Sequence, residues 1–247
     1  LKDDVEKAAL PEVSFVIPLK DDPLIDRLFQ SLHKQTCKSF EVIVVDSSTT
    51  GASVKVLQKW NENFPLTAVD AKCGRGTARN IGAKFAKADV LAFVDADVIL
   101  PSNFVEELAK MFRNNQRLKA VGFPIYPARS VRIPNVVYRF LRFLDESSFR
   151  YGKPRIPTTC AAYHRSIFHS RFFLDIIGED VLFSADITKY GEATFAKHIR
   201  IFEEPRRWDK SSEIPKSLWH YIPAFATNIL ILSGLHNSLL PKQEVKK

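Results

Sequence analysis

Glycine is scarce in this chain, at 9 of 247 residues, so collagen-like and glycine-linker architectures are excluded and any cluster of glycines is informative. Cysteine is scarcer. Cys37, Cys73 and Cys160 are widely spaced and form no CxxC, which argues against a disulfide scaffold or a zinc site and points to a reducing compartment. Methionine occurs once, as Met111. Residues 1–12 are charged, lack the apolar core of a signal peptide and are expected to be an N-terminal extension. The histidines His33, His164, His169, His198, His220 and His236 show neither HxxxH nor HExxH spacing, so zinc chemistry is not expected of them. Internal repeats and low-complexity tracts are absent. What is present is an ordinary globular balance, with 45% hydrophobic and 26% charged residues, which excludes wholesale disorder. Lys and Arg number 36 against 28 Asp and Glu, for a net charge of +8. That surplus favours an anionic partner: nucleic acid, nucleotide phosphates or an acidic membrane surface.

The first half alternates between strand and helix signals. Val13–Ile17, stopped by Pro18, reads as a strand, and Phe40–Val45 as a second one buried on both faces. Val90–Val94 and Leu118–Phe123 read as further strands, and Leu66–Val69 as a weak one. Between them, 23–34, 53–61, 77–87 and 101–112 read as helices, the first with an apolar stripe at Leu24, Leu28 and Leu32. This pattern predicts an α/β fold with a mostly parallel twisted sheet and helices on both faces. Ligands of such sheets bind beyond the carboxyl ends of the strands, which directs attention to 18–22, 46–51 and 95–100.

The second half changes character. Nine basic residues lie between Arg129 and Arg171, opposed only by Asp145 and Glu146, and Tyr138, Phe140, Phe143, Phe149 and Tyr151 are interleaved with them.

Three clusters could carry chemistry. Asp95-Ala96-Asp97 follows a strand directly, and two carboxylates at a strand end can hold a divalent cation such as Mg²⁺ or Mn²⁺; the plain alternative is a solvated turn. Chance alone gives about one Asp-x-Asp in a chain of this composition, so position is what makes the pair informative. Gly74-Arg-Gly-Thr-Ala-Arg79-Asn80-Ile-Gly82 holds three of the nine glycines. It fits neither a dinucleotide fingerprint nor a P-loop, and reads as a flexible loop entering a helix with two arginines in reach of an anion, or as an ordinary helix start. Glu179-Asp180 opens the helix-like stretch Val181–Tyr190, either as favourable dipole placement or as a general base for an acceptor hydroxyl. Cys160, in a run of small residues, reads as a structural cysteine.

Taken together, Val13–Pro18, Glu41–Ser47, Gly76–Gly82, Phe93–Asp97 and Gly178–Asp180 occur in the order and rough spacing of the family 2 glycosyltransferases, which the region 13–210 resembles. The sequence departs from the usual pattern in three places. Asp46 is followed by Ser47 and Ser48, Lys20-Asp21-Asp22 follows Pro18-Leu19, and Phe172-Phe-Leu-Asp175 stands where Gly-Phe-Asp is common. The resemblance implies a GT-A fold and transfer of a sugar from a nucleoside diphosphate donor, with a divalent metal and inversion. It places Asp46, Pro18 and Leu19 at the nucleoside, Asp95 and Ala96 near ribose and metal, Asp97 as metal ligand, Arg79 on the nucleotide side, Asp180 as base and Glu179 as its orienter. Glu204-Pro-Arg-Arg207-Trp208 has the spacing of a Gln-x-x-Arg-Trp motif, so Arg206 and Arg207 would neutralise the leaving diphosphate and Trp208 would stack on a sugar; a basic turn with an anchoring Trp is the plain alternative.

The implied organisation is a nucleotide-sugar half over 13–123, an acceptor-binding and catalytic half over 124–212, and an amphipathic C-terminal helix and tail over 213–247. In that last segment Leu218, Ile222, Phe225, Ile229, Leu232 and Leu239 form a charge-free stripe suited to lying on a surface rather than spanning. Asn135–Leu144 is a second interfacial candidate, or a core helix with snorkelling arginines. The expected partners are a nucleoside diphosphate sugar, a glycan or lipid-phosphate acceptor and the anionic cytoplasmic face of a membrane, touched peripherally; nucleic acid is not expected. The alternatives are a sugar-nucleotide nucleotidyltransferase, which would carry a glycine-rich loop after the first strand where Pro18–Asp22 has no glycine, and a basic nucleic-acid-binding protein.

Overall fold

Unbroken apolar runs in the first half become strands with both faces covered. The computed structural model describes residues 10–130, 132–176 and 178–206. In chain order the first elements are β1 (Val13–Leu19), α1 (Ile25–His33), β2 (Phe40–Asp46), α2 (Ala52–Trp60), β3 (Leu66–Asp70), α3 (Arg75–Phe85) and β4 (Val90–Val94). They are followed by β5 (Val98–Ile99), α4 (Phe104–Asn114), β6 (Leu118–Gly122), β7 (Ile125–Pro127) and α5 (Arg132–Arg150). The last are β8 (Cys160–His164), α6 (Glu179–Ser184), β9 (Glu192–Phe195) and β10 (Ile201–Glu203). The principal sheet has the order β3-β2-β1-β4-β8-β6-β9. Its first four strands are parallel, β8 runs antiparallel to both β4 and β6, and β9 is parallel to β6. A small sheet, β5-β10-β7, stands apart from it.

Alternation within the central strands builds two cores. Phe15, Ile17, Val42 and Val44 point to one face and pack with Leu28 and Phe29 of α1, Leu57 and Trp60 of α2 and Phe104 of α4. Val16, Ile43 and Val45 point to the other, against Ala78 of α3, Phe173 of the loop before α6 and Phe183 of α6. The α/β reading therefore holds, with helices on both faces of a mostly parallel sheet. The helix expected over Val181–Tyr190 is shorter: α6 stops at Ser184, and a separate 3-10 turn covers Ile187–Lys189. Cys160 begins β8 and is fully buried opposite Val94, a structural position. The stripe Leu218–Leu239 lies outside the described residues. No described helix is long and apolar enough to cross a membrane.

The glycines around α3 serve close approach rather than flexibility. A Cβ on Gly74 would collide with the Asp175 side chain, one on Gly76 with the Leu174 carbonyl oxygen and one on Gly82 with Val16. The segment 172–175 is thereby pressed onto the start of α3. Asp175 accepts the Thr77 N–H at 3.0 Å, and the Asn80 amide exchanges two 2.8 Å bonds with the Phe173 backbone. Gly76→Ala has backbone to displace rather than a mobile side chain, so it should lower stability by about 1–3 kcal/mol, read as a lower urea midpoint at unchanged slope.

Candidate active site

Beyond the carboxyl ends of β1 and β4 lies a cavity of about 440 Å³, a size ordinary for a small-molecule site. Pro18 and Leu19 end β1 and line it, followed by Lys20 and Asp22; Ser47, Cys73, Gly74 and Arg75 close this end. Asp95, Ala96 and Asp97 leave β4 into its floor. Gly178, Glu179 and Asp180 enter from the start of α6, and Tyr138, Leu141, Arg142 and Asp145 from one face of α5. The acidic pair after β4 and the acidic pair of α6, 84 positions apart by their first members, thus share one cavity.

Arg79 stands behind this wall rather than in it. Its guanidinium is 0% exposed, donating to Asp95 Oδ1 at 3.0 Å and to Glu179 Oε1 at 2.6 Å. Burial pushes the Glu179 carboxyl above its ordinary range, and the neighbouring Asp180 charge adds to that, while Arg79 opposes both. Asp180 accepts the Val181 N–H at 2.8 Å and, through Oδ2, the Thr158 N–H at 3.4 Å. Asp97 is also pushed up, first by burial and then by the negative charge of Asp95; Arg206 counters this with a 2.9 Å bond. Arg206 reaches Asp22 too, at 3.0 Å, so it ties the loop after β1 to the loop after β4.

Two hard carboxylates lining one open cavity suit Mg²⁺ or Mn²⁺, which keep several positions for water and substrate phosphates. Among the described residues no third His, Cys, Asp or Glu joins them. Asp46 does not line the cavity. Its carboxylate accepts the Ser48 N–H at 2.8 Å and the Ser53 hydroxyl, holding the loop that follows β2. The same loop is clamped from across the site: Asp21, at φ 47°, accepts the Thr49 and Thr50 amides at 3.0 and 3.2 Å, while its own N–H reaches Ser48 Oγ at 2.8 Å. Hydrogen bonds led by the Thr49 amide hold the Asp21 carboxyl below its ordinary range. Arg207 and Trp208 lie outside the described residues.

Of the two arginines expected within reach of an anion, Arg75 lines the cavity and Arg79 does not. Arg75 is exposed in the cavity, where Asp95, Glu179, Asp180 and Asp97 hold its guanidinium firmly protonated despite partial burial; Asp95 is the strongest influence. Thr158, in the run of small residues before β8, lines the α5 side together with Asp145 and Arg155, and those two escaped the sequence reading. The one signal for Asp145 was its place, with Glu146, as one of only two acids among nine bases.

A family model described as Glycosyl transferase family 2 matches residues 14–172, well over half of the chain. Among curated proteins, the uncharacterized glycosyltransferase EpsJ of Bacillus subtilis is 30% identical over 126 residues, which are 50% of this chain and 36% of that protein. The poly(ribitol-phosphate) beta-glucosyltransferase of Bacillus spizizenii is 24% identical over 200 residues, 78% of this chain and 28% of that protein. The chain spans about a third of the length of these relatives. Among solved structures, the mannosyltransferase PcManGT from Pyrobaculum calidifontis, in complex with GDP-Man and Mn²⁺, superposes with a TM-score of 0.67 at 19% identity, covering 91% of this chain and 70% of that one. Staphylococcus aureus TarS 1-349 in complex with UDP-GlcNAc gives 0.59 at 19% identity, over 76% and 55% of the two chains. These superpositions establish the fold.

Arg79 provides a direct test of the wall. Replacing it with Met removes one buried charge and leaves Asp95 and Glu179 facing each other uncompensated. Stability should fall by about 3–5 kcal/mol in urea denaturation, and Arg79→Lys, which cannot fork to two carboxylates, should recover only part of it.

Proposed function

The chain belongs to glycosyl transferase family 2, and on that premise we propose that it moves a sugar from a nucleoside diphosphate donor to a hydroxyl or phosphate acceptor with inversion at the anomeric carbon. The observation that carries this reading is the convergence of Asp95 and Asp97 with Glu179 and Asp180 in one cavity. The nucleotide half is 13–123 and the acceptor half 124–212. In this reading Pro18, Leu19 and Ser47 wall the nucleoside, and Asp46 acts indirectly by shaping the loop beside it. Asp95 and Asp97 would hold Mg²⁺ or Mn²⁺. A divalent ion bound there would offset the charge of the departing diphosphate.

This chain's own residues then divide the work. Arg206 presents a guanidinium at the same place, and Arg207 and Trp208 follow it in sequence; its bonds to Asp22 and Asp97 are exchanged for bonds to phosphate oxygens. Asp180 takes the acceptor proton. It is anchored by two backbone amides and comes from an element separate from Asp95 and Asp97, so it can address the sugar from the side away from the leaving group. Glu179, bonded to Arg79, fixes the turn that presents Asp180. The acceptor is a glycan or a lipid phosphate. Nucleic acid is not a partner in this reading, because the anion-binding groups gather in a cavity rather than along an open face.

Contact with the anionic cytoplasmic face of a membrane is also proposed. Its support is the outer face of α5, opposite the cavity, where Val136, Phe140 and Phe143 are 68%, 51% and 66% exposed beside Arg139 and Arg150. The protein should bind vesicles containing phosphatidylserine at low salt and leave them at moderate salt, in a sedimentation assay; binding that resists salt would contradict peripheral attachment.

The catalytic reading is tested by two substitutions. Asp97→Ala should abolish the Mn²⁺-dependent part of UDP or GDP binding by calorimetry while leaving the melting temperature of the unliganded protein near its parent. Asp180→Asn should slow transfer by about 10²–10⁴-fold with little change in donor affinity. Equal Mn²⁺ enhancement in parent and Asp97→Ala, or parental turnover in Asp180→Asn, would remove the corresponding assignment.

A further inference from the structure

The buried ion pair on the α5 side of the cavity is used by none of the steps above. Asp145 and Arg155 are both buried, and the Arg155 guanidinium donates to Asp145 Oδ1. Replacing such a pair by apolar residues is often neutral or stabilising, so stability alone does not account for its presence beside a catalytic cavity. Its position in the chain does. Arg155 opens the strap 155–159 that joins α5 to β8, and this strap is stitched on every side. The Arg155 N–H donates to Ser148 Oγ at 2.8 Å, and Ser148 Oγ donates to the Asp145 carbonyl oxygen at 2.5 Å, fastening the strap to α5. The Ile156 N–H donates to Ser184 Oγ at 3.1 Å, and Ser184 Oγ donates in turn to the Asp180 carbonyl oxygen at 2.9 Å, fastening it to α6. The Thr158 N–H reaches the Asp180 carboxylate, and the Thr159 carbonyl oxygen accepts the Asp95 N–H at 3.0 Å.

One short strap therefore touches both acidic centres, and the Asp145–Arg155 pair is its anchor. We infer that Asp145 and Arg155 are positioning residues: they hold the strap 155–159 so that its Thr158 amide orients the Asp180 carboxylate and its Thr159 carbonyl oxygen fixes the turn at Asp95. This rests on the reading of Asp180 as the base. The anchor is also sensitive to acid. Arg155 from the strap, Arg142 from α5 itself and Asp180 from α6 are the charged groups that face Asp145. Burial, the largest influence, lifts its carboxyl to about 6; Asp180 adds to the rise and the two arginines oppose it. Protonation near that pH weakens the anchor without unfolding the protein. A carboxyl raised on folding contributes stability below its unfolded range, and that contribution is lost as pH rises through about 6. The associated stability change and the loss of positioning thus run in opposite directions with pH.

The test compares the full chain with Asp145→Asn and Arg155→Lys in two measurements. In hydrogen–deuterium exchange, the Ile156 and Thr158 amides should exchange about 10-fold faster or more in Asp145→Asn, with β1 and β2 amides unchanged. In release of UDP from UDP-GlcNAc, or of GDP from GDP-Man, with water as acceptor, kcat should fall by about 10-fold or more with donor KM nearly constant. The parent's kcat should decline on the acid side of pH 6, and Asp145→Asn should lack that limb. Arg155→Lys should lie between the two, and is read alone if Asp145→Asn does not fold. Unchanged exchange overturns the inference. So does faster exchange with parental kcat and pH profile, since the pair would then be structural only. If neither donor is cleaved, exchange decides. Asp180→Asn run in parallel separates the two claims: parental turnover there removes the base, whereas an inactive Asp180→Asn beside a parental Asp145→Asn removes only the anchor.

Discussion

A single buried guanidinium sets the geometry of the site. Arg79 leaves α3 and meets Asp95 from the end of β4 and Glu179 from the start of α6, so three elements remote in sequence are locked by one side chain that water does not reach. A charge in that position is tolerable only while both carboxylates stay with it. Its planar fork can serve two acceptors at once, which an ammonium cannot do with the same rigidity. Its carbon centre also lies 5.6 Å from the Phe173 ring, on the segment that Asn80 holds against α3. Residues 79 and 80 therefore fasten α3 to the end of β4, the start of α6 and the segment 172–175, one through charge and the other through an amide.

Much of this was legible in the chain, for identifiable reasons. The strands β1, β2 and β4 announce themselves because a strand covered on both faces must be apolar throughout. The carboxylate pairs stand out because they sit where a strand ends and a helix begins. What could not be read is what tertiary packing alone creates. The strand β8 is short and begins with Cys-Ala-Ala, residues chosen for close packing between β4 and β6 rather than for strand propensity. Asp145 and Arg155 become part of the site only because α5 and the strap after it converge on loops remote in sequence. The function of Phe172–Asp175 was hidden by its departure from the family pattern, yet Asp175 still caps α3 through Thr77.

Charge counted along the chain was equally incomplete. The nine basic residues between Arg129 and Arg171 read as one patch, but the fold divides them. Arg142 donates to the Ile125 carbonyl oxygen at 3.0 Å and stacks 4.1 Å from the Tyr126 ring centroid, and Arg155 is buried with Asp145. Arg165 binds the carbonyl oxygens of Ala86 and Ala88, and Arg171 that of Leu182. Basicity that looks outward in sequence is thus partly internal: three of the nine supply donors to backbone carbonyl groups and a fourth to a buried carboxylate. On α5 itself, Val136, Arg139, Phe140, Phe143 and Arg150 face outward on one side of the helix.

The antiparallel placement of β8 has a consequence for the order in which the molecule can be made. β1 to β4 pair among themselves as they emerge, but the open edge of β4 and one edge of β6 must wait for residues 160–164, and the other edge of β6 for β9, before the sheet is continuous. Until then a growing chain carries strands with open edges, the condition under which nascent proteins associate with one another. The insertion that closes the sheet is also the one that draws Thr158 and Thr159 up to Asp180 and Asp95. A half-made chain can thus hold the loops after β1 and β4 in place but lacks the arrangement around its acidic centres, which is complete only once β8 and then α6, with Glu179 and Asp180, have followed.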